Sequence, residues 1–146
     1  MEILPFKTAD LETLYKIDQE CFPPGISYSQ EELARFIRHR LAKTWVAHSE
    51  NEVVGFLVFG REPQKVGHIV TIDVVEGRRG TGVGKALLKT AEDWAQRQGL
   101  GLIYLETADD NRVAQNFYIA HGYTKVEEIP NYYPNHLTAW VMVKWL

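Results

Sequence analysis

Residues 79–84 read Arg-Gly-Thr-Gly-Val-Gly, between an apolar run and a stretch of helical period. A helix that begins on small residues leaves several backbone N–H groups without acceptors in its first turn. Those donors and the positive end of the helix dipole together suit a phosphate-like anion. Two familiar phosphate loops fail on spacing. A P-loop needs a glycine five residues before its Gly-Lys pair and a hydroxyl after it; around Gly84-Lys85 those positions hold Arg79 and Ala86. A dinucleotide loop needs G-x-G-x-x-G, whereas Gly80, Gly82 and Gly84 give G-x-G-x-G. The plain alternative is a ligand-free turn, in which three alternating glycines would weaken a helix start without return.

What remains is Arg79-x-x-Gly82-x-Gly84. From Ile72-Asp73-Val74 through Lys85-Ala86-Leu87-Leu88, the chain resembles the acetyl-CoA-binding motif of the GNAT superfamily of N-acetyltransferases. The resemblance implies acetyl-CoA as co-substrate. It implies that the amides of Arg79, Gly80, Thr81, Gly82, Val83, Gly84 and Lys85 hold the CoA pyrophosphate. It also implies that the strand around Ile72, Asp73 and Val74 pairs edge-on with the pantetheine amides, with the Val74 N–H facing the developing oxyanion. Glu76 stands where many members carry Pro.

Acetyl transfer from a thioester to an amine needs a neutral amine, a polarised carbonyl, an oxyanion donor and a proton for the departing thiolate. Glu106 ends an apolar run at 102–107, Asn111 follows five residues on, and Tyr118 seven after that. The run from Leu105 to Tyr123 resembles the second conserved block of the superfamily, and more narrowly the RimI-type branch that acetylates protein N-termini. In that branch a Glu in this strand is the general base and a Tyr twelve residues later the general acid, which is the spacing of Glu106 and Tyr118. The branch's Leu-Glu-Val-Arg is Leu105-Glu106-Thr107-Ala108 here. The resemblance also implies that the Asn111 amide touches the cofactor; by residue type alone Asn111 is a helix cap. Residue by residue, Glu106 stays open as a solvated strand-end carboxylate and Tyr118 as a half-buried core aromatic. The end of a central strand beside a helix start is, however, where open α/β sheets place ligands. A phenol of pKa near ~10 protonating a thiolate of ~8.5 works uphill by roughly 2 kcal/mol. The site must therefore lower the phenol pKa or stabilise the thiolate.

The acceptor is read from two clues. At pH 7 roughly 10% of protein α-amines are neutral, against about 0.04% of lysines, so a lone carboxylate serves an N-terminus more easily. Asn131-Tyr132-Tyr133-Pro134 resembles the RimI-type loop whose tyrosines bracket the peptide N-terminus; an aromatic hairpin covering a core edge is the other reading. Tyr28 stands ready to close the groove from the opposite side. The branch's Phe-Pro-x-x-Trp-Ser appears as Phe22-Pro-Pro-Gly-Ile-Ser27-Tyr28, without the tryptophan. Three readings follow: an N-terminal protein acetyltransferase acting by direct attack in a ternary complex, a small-amine acetyltransferase for polyamines, aminoglycosides or amino acids, and a non-catalytic acyl-CoA sensor. Several carboxylates around Glu127 and Glu128 in the groove would favour a polycationic small molecule. Loss of Glu106 or Tyr118 would favour a sensor, and both are present.

These residues need a scaffold. The chain has 146 residues, 45% hydrophobic and 24% charged, with net charge −3. That is an ordinary single domain over 1–146, with no global electrostatic case for nucleic acid. The five histidines lack metal-ligand spacing, so no metal is expected. One cysteine, Cys21, excludes an internal disulfide and reads as a small buried hydrophobe at a helix end. No signal peptide or membrane span is expected, and the expectation is a cytoplasmic protein; as to assembly, a monomer or a homodimer is expected.

Hydrophobic periodicity predicts a strand at 3–6, a helix capped by Asp10, and a second helix opened by a Ser29–Glu32 capping box. Strands at 44–49, 53–60 and 67–75 form a meander, with a hairpin turn at 50–52. A helix over 83–98 stops at Gly99, and a strand at 102–107, a helix at 111–120 and strands at 123–128 and 138–145 follow. The order βααβββαβαββ predicts an α/β (α+β) domain: a mixed, mostly antiparallel sheet with helices on both faces. That order matches the GNAT fold over the whole chain.

Overall fold

The computed structural model describes all 146 residues, and the expected order of elements is the observed one. It runs β1 (Glu2–Pro5), α1 (Leu11–Cys21), α2 (Gln30–Arg38), β2 (Ala42–Ser49), β3 (Glu52–Glu62), β4 (Val66–Val74), α3 (Val83–Arg97), β5 (Leu102–Ala108), α4 (Arg112–Ala120), β6 (Thr124–Ile129) and β7 (Ala139–Trp145). The seven strands form one sheet in the order β1-β2-β3-β4-β5-β7-β6. Only β4 and β5 run parallel; a parallel pair needs a long crossover, which α3 supplies. No helix is long and apolar enough to cross a membrane.

Side chains alternate across each strand, so β2 and β3 feed two separate cores. Val46, Phe56 and Val58 pack with Leu14 and Ile17 of α1 and with Leu33 and Ile37 of α2. On the opposite face, Ala47, Leu57 and Phe59 pack with Leu87, Leu88 and Ala91 of α3 and with Tyr118 of α4. Burying each such Leu or Phe contributes about 1.5–3 kcal/mol, so each helix is anchored mainly by its apolar stripe.

Local signals explain most boundaries. The Ser29 hydroxyl accepts from the Glu32 N–H at 3.1 Å, and the Glu32 carboxylate accepts from the Ser29 N–H at 3.0 Å. Glu50 and Asn51 both take positive φ, the requirement of a two-residue hairpin turn. Gly99 ends α3 at φ 77°. Asp10 departs from expectation. Its backbone is already helical and makes no cap for α1; its carboxylate accepts from the Lys7 N–H at 2.9 Å instead. It thereby closes a 3-10 turn at Thr8–Asp10 that precedes the helix.

The feature that makes room for a site lies between β4 and β5. They pair only at Val66↔Leu102, Gly67↔Ile103 and His68↔Tyr104. Just beyond, the β3–β4 register slips, and Val70 has no partner between Ile69↔Phe59 and Thr71↔Val58. A bulge of this kind bends its strand and increases the twist. From there β4 follows β3 as far as Gly55↔Val74, and β5 follows β7 as far as Ala108↔Ala139. A wedge opens between them.

Candidate active site

The wedge holds a cavity of about 700 Å³. The loop before α3 borders one end. Gly80 and Gly82 take φ of 75° and 95°, conformations that side chains resist. Gly82 is the N-cap of α3 and offers no side-chain cap. The N–H groups of Gly80, Thr81 and Gly82 donate to no main-chain acceptor, and the first N–H groups of the helix are unpaired by geometry. Arg78, Arg79 and Lys85 line this end, so charge and dipole act in the same direction. A Cβ at Gly84 would meet the Phe117 ring at 3.3 Å; its absence lets α3 start close against α4.

Ile72, Val74, Arg79, Gly80, Gly82, Gly84, Lys85 and Asn111 all line the cavity. Asp73, Thr81 and Val83 do not line it. Strand alternation turns Asp73 away when Ile72 and Val74 face in, and its side chain is buried on the α1 side, next to Asp18. Val83 belongs to the core under α3. The Thr81 hydroxyl donates to the Arg78 carbonyl and braces the loop. For these three, only the main chain is left to meet a ligand.

Val74 is turned towards the wedge. Its carbonyl accepts from Arg79 Nε at 3.1 Å and weakly from Cys21 Sγ at 3.5 Å. The Val75 N–H goes to Val54 on the β3 side. In an antiparallel ladder both polar groups of one residue share a side, so the Val74 N–H also faces the gap. Asn111 caps α4 by accepting from the Ala114 N–H at 3.1 Å, and it also lines the cavity.

Glu106 is not a free strand-end carboxylate. Its side chain is 13% exposed, and His68 Nε2 lies 2.6 Å and 3.1 Å from its two oxygens. The His68 ring stacks on Tyr104 with centroids 4.4 Å apart. The Tyr104 hydroxyl donates to Glu62 at 2.6 Å, and His68 Nδ1 lies 3.7 Å from the same Glu62 oxygen. His68 also lines a second cavity of about 330 Å³, with Glu62, Arg35 and Arg61. It therefore stands between the groove and a second opening. Metal-spacing rules pass over His68, because its partner is 38 residues away on a neighbouring strand.

Tyr118 is 5% exposed and lines the groove, packed edge-on to Phe117 and Tyr123. Burial, then the nearby Asp73 and Tyr133, push its phenol pKa up. Of the two options the sequence left, these surroundings favour stabilising the thiolate over lowering the phenol pKa. Burial thus favours the protonated phenol, the form that can donate.

At the other end of the cavity stand Tyr28, Tyr132 and Tyr133. The rings of Tyr132 and Tyr133 meet edge to face at 4.9 Å. Both of their N–H groups donate to the Leu137 carbonyl, at 3.1 and 3.3 Å, which folds the loop into a tight platform. The Tyr28 hydroxyl reaches the Val70 carbonyl at 3.5 Å. Burial first, and Glu106 among the nearby groups, raise the phenol pKa values of Tyr28 and Tyr133. The only carboxylates on the cavity wall are Glu106 and Asp110; Glu127 and Glu128 are exposed on β6. Cys21 is a correction: it lines the groove and is only half-buried, because the last turn of α1 ends against Val74. Burial, then Asp73, push its thiol up to about 11, against the opposing pull of Arg79.

Residues 11–123 match the acetyltransferase (GNAT) family. An N-alpha-acetyltransferase of Sulfurisphaera tokodaii is 27% identical over 148 aligned positions, covering 93% of this chain and 87% of the relative. An aminoglycoside N(6')-acetyltransferase type 1 of Klebsiella aerogenes is 26% identical, covering 87% and 91%. The crystal structure of Ard1 from Thermoplasma volcanium superposes with a TM-score of 0.90 at 26% identity, covering 99% of this chain and 97% of that one.

Proposed function

This chain belongs to the GNAT family of acetyltransferases, and within that activity we propose that it moves the acetyl group of acetyl-CoA to the N-terminal α-amine of a protein, by direct attack in a ternary complex. The observation that carries the acceptor is the setting of Glu106. It sits among Tyr28, Tyr132 and Tyr133 on a wall with one other carboxylate, Asp110. Aromatic faces with hydroxyl tips suit a neutral peptide main chain. A polycation would be served by many carboxylates, which this wall lacks.

The residues present fit the donor. Unpaired N–H groups at Gly80, Thr81 and Gly82, with Arg78, Arg79 and Lys85 beside them, match the oxygens of a pyrophosphate. When bound, acetyl-CoA supplies an activated thioester carbonyl. The edges of Ile72 and Val74 take the extended arm of the donor, and the Val74 N–H stabilises the oxygen that gains charge. A Glu106 oxygen receives the proton that the acceptor ammonium must lose, and His68 fixes the direction of that carboxylate. As nitrogen bonds to the acetyl carbon and the carbon–sulfur bond breaks, Tyr118 Oη releases its proton to the sulfur, and the second proton lost by the nitrogen restores the phenol. A buried phenol with a raised pKa gives that proton up only as negative charge builds on the sulfur. The positive loop and helix start help to stabilise that charge.

A small-amine acceptor is the second reading, supported by likeness to the aminoglycoside-modifying relative. An acetyl-CoA turnover screen over peptides with varied first residues, run beside a polyamine and aminoglycoside panel, separates the two. Peptides preferred in kcat/KM are the expected result; preference for the panel overturns the peptide reading.

A further inference from the structure

Asp18 and Asp73 are the only carboxylates buried in the molecule, at 0% and 1% exposure. One oxygen of each is satisfied. Asp18 Oδ2 accepts from the Tyr28 N–H at 2.7 Å, and Asp73 Oδ1 accepts from the Thr71 hydroxyl at 2.5 Å. The other two oxygens, Asp18 Oδ1 and Asp73 Oδ2, are buried and receive no donor from the rest of the protein. The two carboxyl groups lie close enough to act on each other directly, and would share a hydrogen bond once one of them is protonated. Two ionised carboxylates have only acceptors and cannot bond, and two adjacent buried negative charges are strongly disfavoured.

We propose that Asp18 and Asp73 hold one proton between them, and that this bridged pair fastens the α1–α2 segment carrying Tyr28 to the β4 segment carrying Ile72 and Val74. The pair joins the two ends of the groove. Asp18 holds the main chain of Tyr28, on the acceptor side, and Asp73 sits between the two β4 residues that face the donor. The groups around the pair agree with a single charge. Arg79, the cation that acts on Asp73, is already engaged by the Val74 carbonyl and Cys21. Tyr28, Cys21 and Tyr118 all face it, and none relieves a second negative charge. Burial is the main cause that raises both carboxyls above the usual range. Such a group stabilises the fold fully below its unfolded pKa, and the contribution is lost as pH rises through the folded value. Alkaline pH therefore loosens the fastening.

Two measurements test this, and only the kinetic one rests on the acetyltransfer reading. In protein labelled at the aspartate carboxyl carbons, one of the pair is expected to keep its protonated shift well above pH ~4, where exposed aspartates have ionised. Both carboxyls ionising in one step with the exposed ones overturns the proposal. In Asp73→Asn the amide gives Asp18 a permanent donor, so no proton is needed. Between about pH 5 and 9, the parent's melting temperature should fall relative to the variant's, and the ratio of parent to variant KM for a peptide should rise at least about threefold. Taking the ratio cancels the ionisation of the acceptor amine. Parallel melting curves over that range overturn the proposal. Asp18→Asn is the reciprocal variant, with the same expected slopes, and the carboxyl titration of the unsubstituted protein stands if neither variant folds.

Discussion

His68 Nε2 lies 2.6 Å from Glu106 Oε1, so the base of the proposed reaction is gripped from the strand that also carries the donor-side edge. His68→Ala removes that grip without touching the wall of the groove. We expect kcat/KM to fall about tenfold or more, with the affinity for CoA within about threefold. His68→Gln, which keeps a donor, should recover part of the loss. Equal activity in His68→Ala and the parent argues that the contact serves folding alone.

Glu106→Gln keeps the shape of the carboxylate and removes its basicity. General-base catalysis is worth about 10²–10⁴ in rate. The loss should be greatest at low pH, where the acceptor amine is charged and must be deprotonated, and should shrink as the pH rises past the amine's own pKa. A parent-to-variant ratio that does not change with pH excludes the base role.

Tyr118→Phe keeps the ring between Phe117 and Tyr123 and removes only the hydroxyl, and with it the transferable proton. We expect kcat to drop at least about tenfold while CoA affinity stays within about threefold. Unchanged kcat in steady-state assays ends the acid assignment.

The Cys21 thiol, at about 11, should be sluggish. At pH 8 it holds about 100-fold less thiolate than an ordinary cysteine near pKa 9. Alkylation by iodoacetamide should therefore be slow at pH 8, climb through pH 11, and slow further when CoA fills the groove. Rapid labelling at pH 7 would show that Arg79 outweighs burial.

Gly82→Ala tests the loop. At φ 95° a side chain costs about 1 kcal/mol or more, although a Cβ there would meet nothing within 4 Å. A modest fall in melting temperature and a larger fall in CoA affinity by calorimetry are expected, because the strained residue carries one of the free N–H groups. Equal losses in both would place the effect in folding alone.

Order and kind of elements could be read from sequence because each signal is local. Ser29 and Glu32 sit three apart, and Gly82 and Gly99 punctuate α3 within one turn of its ends. Asp10 misleads for the same reason: its type and place suit a cap for α1, but its carboxylate turns back to the Lys7 N–H and closes a 3-10 turn instead. The groove residues from Arg79 to Lys85 are contiguous and were readable as a block, but which of them face the ligand follows from strand alternation and helix phase. That is why Asp73 and Val83 turn inward. His68 could not be found. Its partnership with Glu106 needs a parallel pairing only three residues long. The Val70 bulge, the Asp18–Asp73 contact and the place of Cys21 are likewise products of tertiary packing without a periodic trace.

Three rungs between β4 and β5 are all that stitch the sheet's two halves, β1–β4 and β5–β7, into one ladder. On the proposed reading, a donor lying along the wedge would act as a splint for the missing rungs. Anything that binds only the folded chain stabilises it in proportion to the logarithm of its concentration. This enzyme's resilience to heat and proteases should therefore track the supply of its own co-substrate.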